Sequence, residues 1–142
     1  MTEFFNKVKR KIVLFCINNF LSTTRYFGIK RDLLIFSGFE IGEGSKIVGP
    51  VHIGTCAKLS IGNNCWIVSG ISIYGNGKVV IGDNCDLAPD IGFVTGSHHI
   101  GEADRRAGEG VSYSIQVGNG CWIGARTTIM GDILIGDSSI IG

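Results

Sequence analysis

Apolar residues recur every six places along most of this chain of 142 residues. The series runs Ile41, Ile47, Ile53, Leu59, then Ile61, Ile67, Ile73, Val79, then Ile81, Leu87, Phe93, and after a break Val117, Ile123, Ile129, Ile135, Ile141. An amphipathic helix repeats at about 3.6 residues and a half-buried strand at about 2, so neither element alone gives this spacing. A fixed longer period marks a solenoid, whose repeats bury their apolar faces only by stacking. Each unit is read as a short strand and a turn, and three units as one triangular coil of about 18 residues, stacked on the next at about 4.8 Å. Gly follows the apolar residue at 42, 54, 62, 82, 118, 124, 136 and 142, where it is expected to supply turn conformations that a Cβ opposes. The register slips by two between Leu59 and Ile61 and between Val79 and Ile81. Two coils are therefore expected to be 20 residues long, with small bulges at corners. Residues 41–98 and 115–142 provide about five coils.

Composition narrows the function classes. Gly contributes 22 residues and Pro only 2, yet no Gly-X-Y period appears, which excludes collagen. With 44% hydrophobic and 18% charged residues, the chain has the apolar surface to fold, which excludes disorder. The net charge is +1. No aromatic-basic platform, phosphate loop or dinucleotide fingerprint is present, so no nucleic-acid partner is expected. The five cysteines, Cys16, Cys56, Cys65, Cys85 and Cys121, include no C-x-x-C pair. They read as reduced, small apolar residues of a cytoplasmic protein, not as disulfides or zinc ligands. Cys65, Cys85 and Cys121 share one position of the repeat, and Cys65 and Cys85 are expected to stack.

Residues 1–36 stand apart. They hold seven Lys and Arg against two acids, a charge of +5 that leaves −4 for the remainder. A helix is expected over about residues 3–21, and a second apolar stretch, Leu33–Phe36, leads into the repeats. The apolar run Ile12–Ile17 is six residues long, against the roughly 20 that span a bilayer. No secretory cleavage site follows it. The segment either packs on the body or a neighbouring subunit, or lies as a basic amphipathic helix on an anionic membrane.

The stretch TGSHHIGEADRRAGEG, residues 95–110, breaks the period. The chain is expected to leave the coil at about residue 97 and return at about 114, carrying His98, His99, Glu102, Asp104, Arg105, Arg106 and Glu109. Loops on a rigid scaffold often carry function, and imidazole suits a general base at cell pH. Arg105 and Arg106 either meet an anionic ligand or pair with acids of the same loop. On its residues alone, the excursion could equally be a solvated surface loop.

The segments IGEGSK, IGNNCW, IGDNCD, VGNGCWIGA and IGDSSIIG resemble the hexapeptide repeat of the left-handed β-helix acyltransferases, over about residues 40–142. TGSHH, a polar loop and then VGNGCWIGA, with Trp122 placed 24 residues after His98, is similar to the active-site layout of the galactoside, maltose and polysaccharide O-acetyltransferases. The resemblance implies an all-β, left-handed parallel β-helix over residues 37–142 behind the N-terminal helical segment 1–36. The left hand comes from the family alone, since the general crossover rule favours the opposite one. The resemblance also implies acetyl-CoA as acyl donor, no metal, and direct transfer without a covalent Cys or Ser carrier. His98, in preference to His99, would be the base. Trp122, Gly124 and Ala125 would lie along the cofactor arm, in a site between subunits of a homotrimer. Trp122 has a competing reading as a packing residue, because Trp66 holds the equivalent place in GNNCW. Asp86, Asp90, His99, Arg105 and Arg106 are candidates to orient His98 or to touch the acceptor. The expected acceptor is a sugar hydroxyl in capsular or lipopolysaccharide biosynthesis, in the cytoplasm or at the inner face of the membrane. Serine, an antibiotic, a free galactoside or maltose, or an amino sugar are alternatives. Relatives continue past the position of Gly142 with coil and tail segments that help hold CoA, so the chain reads as shortened there.

Two readings from other classes compete. A zinc lyase on this fold needs three spaced histidines, and the chain has His52, His98 and His99, the last two adjacent. A non-catalytic solenoid would be a scaffold, an ice-binding surface or a defunct transferase. An ice-binding face would show ranks of threonine, and Thr127 and Thr128 make none, whereas the shortening read at Gly142 keeps a defunct transferase as an alternative.

Overall fold

The computed structural model describes residues 1–142. Two helices, α1 (Thr2–Phe20) and α2 (Phe27–Phe36), precede a parallel β-solenoid of triangular section. Its first side stacks β1 (Glu40–Ile41), β4 (Lys58–Ile61), β7 (Lys78–Ile81), β12 (Ser114–Val117) and β15 (Ile133–Ile135). Its second stacks β2 (Lys46–Ile47), β5 (Trp66–Ile67), β8 (Asp86–Leu87), β13 (Trp122–Ile123) and β16 (Ile140–Ile141). Its third stacks β3 (Val51–Ile53), β6 (Ile71–Tyr74), β9 (Gly92–Val94) and β14 (Thr128–Met130). One antiparallel pair, β10 (Gly96–Ile100) and β11 (Ala107–Ser112), stands outside this pattern. The coil is the left-handed β-helix type.

The six-residue period is the column spacing of the core. Ile61, Ile81 and Val117 line the first side, Ile67, Leu87 and Ile123 the second, and Ile73, Phe93 and Ile129 the third. All nine are at most 7% exposed. Fully burying each such side chain stabilises the fold by about 1.5–3 kcal/mol.

The glycines that follow these residues are required for a reason other than the expected one. Gly42, Gly62, Gly82 and Gly118 are not among the positive-φ residues. A Cβ on Gly62 would stand 2.7 Å from the main chain of Gly82, and one on Gly82 would stand 2.8 Å from that of Gly118. The coils touch there through backbone. The left-handed corner positions are held instead by Asn64, Asn84, Asp90, Arg126 and Ser138, together with Gly44, Gly70 and Gly120. Beside the glycine column runs an Asn/Asp ladder. The Glu43, Asn63, Asp83 and Asn119 amides donate to the side-chain oxygens of Asn63, Asp83, Asn119 and Asp137 respectively, at 2.7–2.8 Å.

The cysteine column packs as expected. Cys65, Cys85 and Cys121 are buried, and the Cys85 amide lies 3.5 Å from Cys65 Sγ. Each thiol donates to a glycine carbonyl of the next coil: Gly82 and Gly118 at 3.1 Å, Gly136 at 3.2 Å. Burial pushes the Cys85 thiol up to about 11.

One corner carries all the length variation. Tyr74 stands level with Val94 and Met130, and Val79 with Ile115 and Ile133. Between these fixed levels lie four residues in one coil (75–78) and two in the last (131–132). In the coil between, residues 95–114 fill the same gap. The register slip and the broken period are therefore two uses of a single corner.

The N-terminal segment has a second helix where the sequence reads only a connecting apolar stretch, because Phe27, Lys30 and Leu34 recur at helical spacing. Both helices cover the open edge of the first coil. Asn18 exchanges two 2.8 Å hydrogen bonds with the Val51 main chain, as another strand would. Arg10 donates to the Thr55 and Ala57 carbonyls at 2.8 Å. Lys30, fully buried, donates to Thr23 and Val48 at 2.6 and 2.8 Å. Burial holds the Lys30 ammonium below the ordinary lysine range.

Candidate active site

The excursion is an ordered hairpin, Gly96–Ser112, and not a loose loop. Thr95, fully buried, pins its base. The Thr95 hydroxyl donates to the Tyr74 carbonyl at 2.8 Å and accepts from the Gly77 amide at 3.0 Å. The Tyr113 amide donates to the Thr95 carbonyl at 2.8 Å, closing the two legs together.

His98 stands on β10, which pairs His98 with Gly110. The register then shifts: Ile100 pairs with Ala107, so Gly108 and Glu109 together face His99. Bulges of this kind re-aim groups beside active sites. Here the Gly108 carbonyl is turned to His98 Nδ1, at 2.9 Å. A carbonyl only accepts, so Nδ1 carries the hydrogen and Nε2 keeps its lone pair in the neutral ring. His99, one residue on, projects from the opposite face of the strand and has no hydrogen-bond partner. The two adjacent histidines thus differ in their surroundings.

His98 separates two open clefts. One, about 480 Å³, is lined with Tyr74, Asn76, Ser97 and Ser112. The other is lined with Glu102, Asp104 and Arg105. Asn76 and Tyr74 escaped the sequence reading, because they lie in the coil below and reach His98 only through stacking. The shared corner level of residues 75–78 and 95–114 is the signal that would have found them. Arg105 and Arg106 form no ion pair with Glu102, Asp104 or Glu109. Arg106 instead reaches the Gly101 carbonyl at 3.5 Å.

The other expected site residues lie elsewhere. The hairpin leaves the corner between the third and first sides, while Trp122 and Asp86 stand on the second side, opposite that corner. Trp122 is 55% exposed, with Asp86 as its strand neighbour and Trp66 beyond. Trp66 packs on Phe27 at 5.6 Å between ring centres, whereas no aromatic ring covers Trp122. Within one chain, His98 and Trp122 are thus held apart by the prism. Asp90 turns the corner between the second and third sides at φ 61° and lines a groove with His52, Ser72 and Thr128. Gly124 has little left to offer a ligand. Its amide is taken by the Ile141 carbonyl at 2.6 Å and its carbonyl by the Thr127 hydroxyl at 2.8 Å. Ala125, next to it, is exposed.

No family model matches the chain. It is 33% identical over 114 residues to the galactoside O-acetyltransferase of Escherichia coli K12, covering 80% of this chain and 56% of that protein. It therefore spans little more than half the length of that relative. A solved galactoside acetyltransferase in complex with coenzyme A superposes with a TM-score of 0.76 at 28% identity, over 95% of this chain and 66% of that one. A hexapeptide-repeat acetyltransferase of Vibrio cholerae shares the fold at a TM-score of 0.77 and 20% identity, over 99% and 81%. Repeat, coil and sequence relationship together place this chain in the hexapeptide-repeat acyltransferase family.

Proposed function

We propose that the chain moves an acetyl group from acetyl-CoA to a sugar hydroxyl, with His98 as general base. The observation that carries this reading is the 2.9 Å bond between His98 Nδ1 and the Gly108 carbonyl. It fixes the tautomer and orientation in which Nε2 can accept a proton, the role a backbone or carboxylate partner plays for catalytic histidines generally.

A sugar hydroxyl is a poor nucleophile until its proton is removed. In the proposed step Nε2 takes that proton as the oxygen attacks the thioester carbonyl. The tetrahedral intermediate collapses, the C–S bond breaks, and the imidazolium returns the proton to the departing CoA sulfur. The products are the acetyl ester and free CoA, and no residue becomes acylated. The buried thiols suit this scheme, since Cys85 is held protonated far above cell pH. The cleft with Asn76, Ser97 and Ser112 supplies neutral hydrogen-bonding groups of the kind that hold a polyol.

Assembly enters the reading because His98 and Trp122 lie on opposite sides of one prism. In a homotrimer the hairpin of one subunit would face the second side of its neighbour. Trp122, with the exposed Ala125 beside it, would then flank the pantetheine arm, and Asp86, Asp90, His99, Arg105 and Arg106 would be free to meet the acceptor or the cofactor phosphates. The galactoside-named relatives favour a sugar acceptor. A sugar of capsular or lipopolysaccharide biosynthesis, handled in the cytoplasm, is the acceptor we infer.

The test is release of free thiol from acetyl-CoA across a panel of sugars and nucleotide sugars. The expected result is acceptor-dependent release, reduced by about 10²–10⁴ in His98→Ala and far less in His99→Ala, whose loss would fall on KM and not on kcat. Equal losses in both variants, or release independent of any acceptor, would overturn the assignment of His98.

A further inference from the structure

The helix α1 has two apolar faces, and the fold uses only one. Val13, Leu14 and Ile17, on the inward face, are at most 9% exposed. Phe4, Val8, Ile12 and Phe15 follow one another at intervals of three or four and share the opposite face. Their exposures are 72%, 40%, 58% and 60%, and Phe5 beside them is 70% exposed. The stripe continues onto α2 through Phe36, 62% exposed, over which the Lys9 ammonium sits at 4.8 Å. Lysines border the stripe on both edges, Lys7 and Lys11 on one and Lys9 on the other. The one acid of α1, Glu3, is held by Lys7 at 2.9 Å, so Lys9 and Lys11 face no carboxylate.

We propose that this face docks the protein onto a bilayer surface carrying anionic headgroups, with α1 lying in the plane of the interface. Phenylalanines below and lysines at the edges match an interfacial helix, whose rings enter the acyl boundary while the ammonium groups reach the headgroups. A second copy of the same face is a poor match, because it would set lysine against lysine. The Asn18 and Arg10 bonds to the first coil hold α1 in place, so the helix rests on the lipid and does not thread it. The inference is independent of the acetyl-transfer reading, and its readout needs no substrate.

The experiment is sedimentation of the full chain with vesicles of phosphatidylcholine alone, or with roughly a third phosphatidylglycerol added. Binding is expected with the anionic vesicles and reduced by high salt. The Phe4→Ser/Phe5→Ser/Phe15→Ser variant and the Lys9→Glu/Lys11→Glu variant should each weaken it by about tenfold or more. Unfolding temperature and particle mass should not change, since these side chains are exposed. Failure of the wild type to sediment with anionic vesicles, or wild-type binding by the phenylalanine variant, would overturn the proposal. So would a change of oligomeric mass in that variant, which would make the stripe a contact between subunits.

Discussion

A buried thiol in this coil behaves as a hydroxyl of larger size. Ser45 begins the column that Cys65, Cys85 and Cys121 continue. Its hydroxyl donates to the Gly62 carbonyl at 2.6 Å and accepts from the Cys65 amide at 2.9 Å. The thiols repeat the donor half of that pattern one coil at a time, and Cys65 Sγ repeats the acceptor half toward the Cys85 amide at 3.5 Å. Cys85→Ser should therefore fold, losing no more than about 1 kcal/mol at neutral pH. The alkaline range should separate the two proteins. An unfolded thiol ionises near 9.0, whereas Cys85 in the native coil keeps its proton to about 11. Between those values the native state binds more protons than the unfolded one, so its stability falls as pH rises. Denaturant midpoints measured from pH 7 to 11 should show that decline in the wild type and a shallower one in Cys85→Ser. A thiol reagent at pH 8 should meet exposed Cys56 first and leave Cys65, Cys85 and Cys121 until the protein unfolds.

Among the elements, the hairpin depends most on a single side chain. Thr95→Val keeps the volume but removes the acceptor of the Gly77 amide. An orphaned buried amide costs about 1–3 kcal/mol, and thermal unfolding should report a loss in that range. A wild-type melting temperature in the variant would mean that the Gly77 amide finds another acceptor. The element scale also shows what sequence could and could not say. The period of six announces the coil and its inward residues, because stacking forces the same residue type into the same column. It does not announce why Gly62 and Gly82 are glycine, since close approach of two backbones leaves no mark different from that of a turn. The interruption reveals that something leaves the coil, and His98 is legible within it. The bulge at Gly108 and Glu109 that orients the ring is not, because it depends on pairing between residues ten apart in a segment without period. Trp122 is legible as the tryptophan of its repeat. Its separation from His98 becomes visible only when the sides of the prism are assigned.

At the scale of the whole molecule, that separation makes a prediction about assembly. If the site forms between subunits, His98→Ala and Trp122→Ala each damage every site of their own homotrimer. Mixed trimers, however, contain some interfaces with an intact His98 on one chain and an intact Trp122 on the next. Random mixing should restore up to about a quarter of wild-type activity in coexpressed variants, on the cyclic symmetry usual for such oligomers. Activity no greater than the average of the two separate variants would mean that each chain works alone.

The corner that admits four residues in one coil, two in another and twenty between Val94 and Ile115 leaves the coils above and below in register. Thr95 and Tyr113 close that gap on each other, so the stack does not sense how far the chain has travelled beyond them. Natural variation can therefore lengthen, shorten or recharge the tip, Glu102–Arg106, while the stack stays unstrained. The scaffold offers this joint once per turn, and an insertion moved by one turn would carry its side chains about 5 Å along the prism. The tip and the columns of the stack are thus separately changeable parts of one chain.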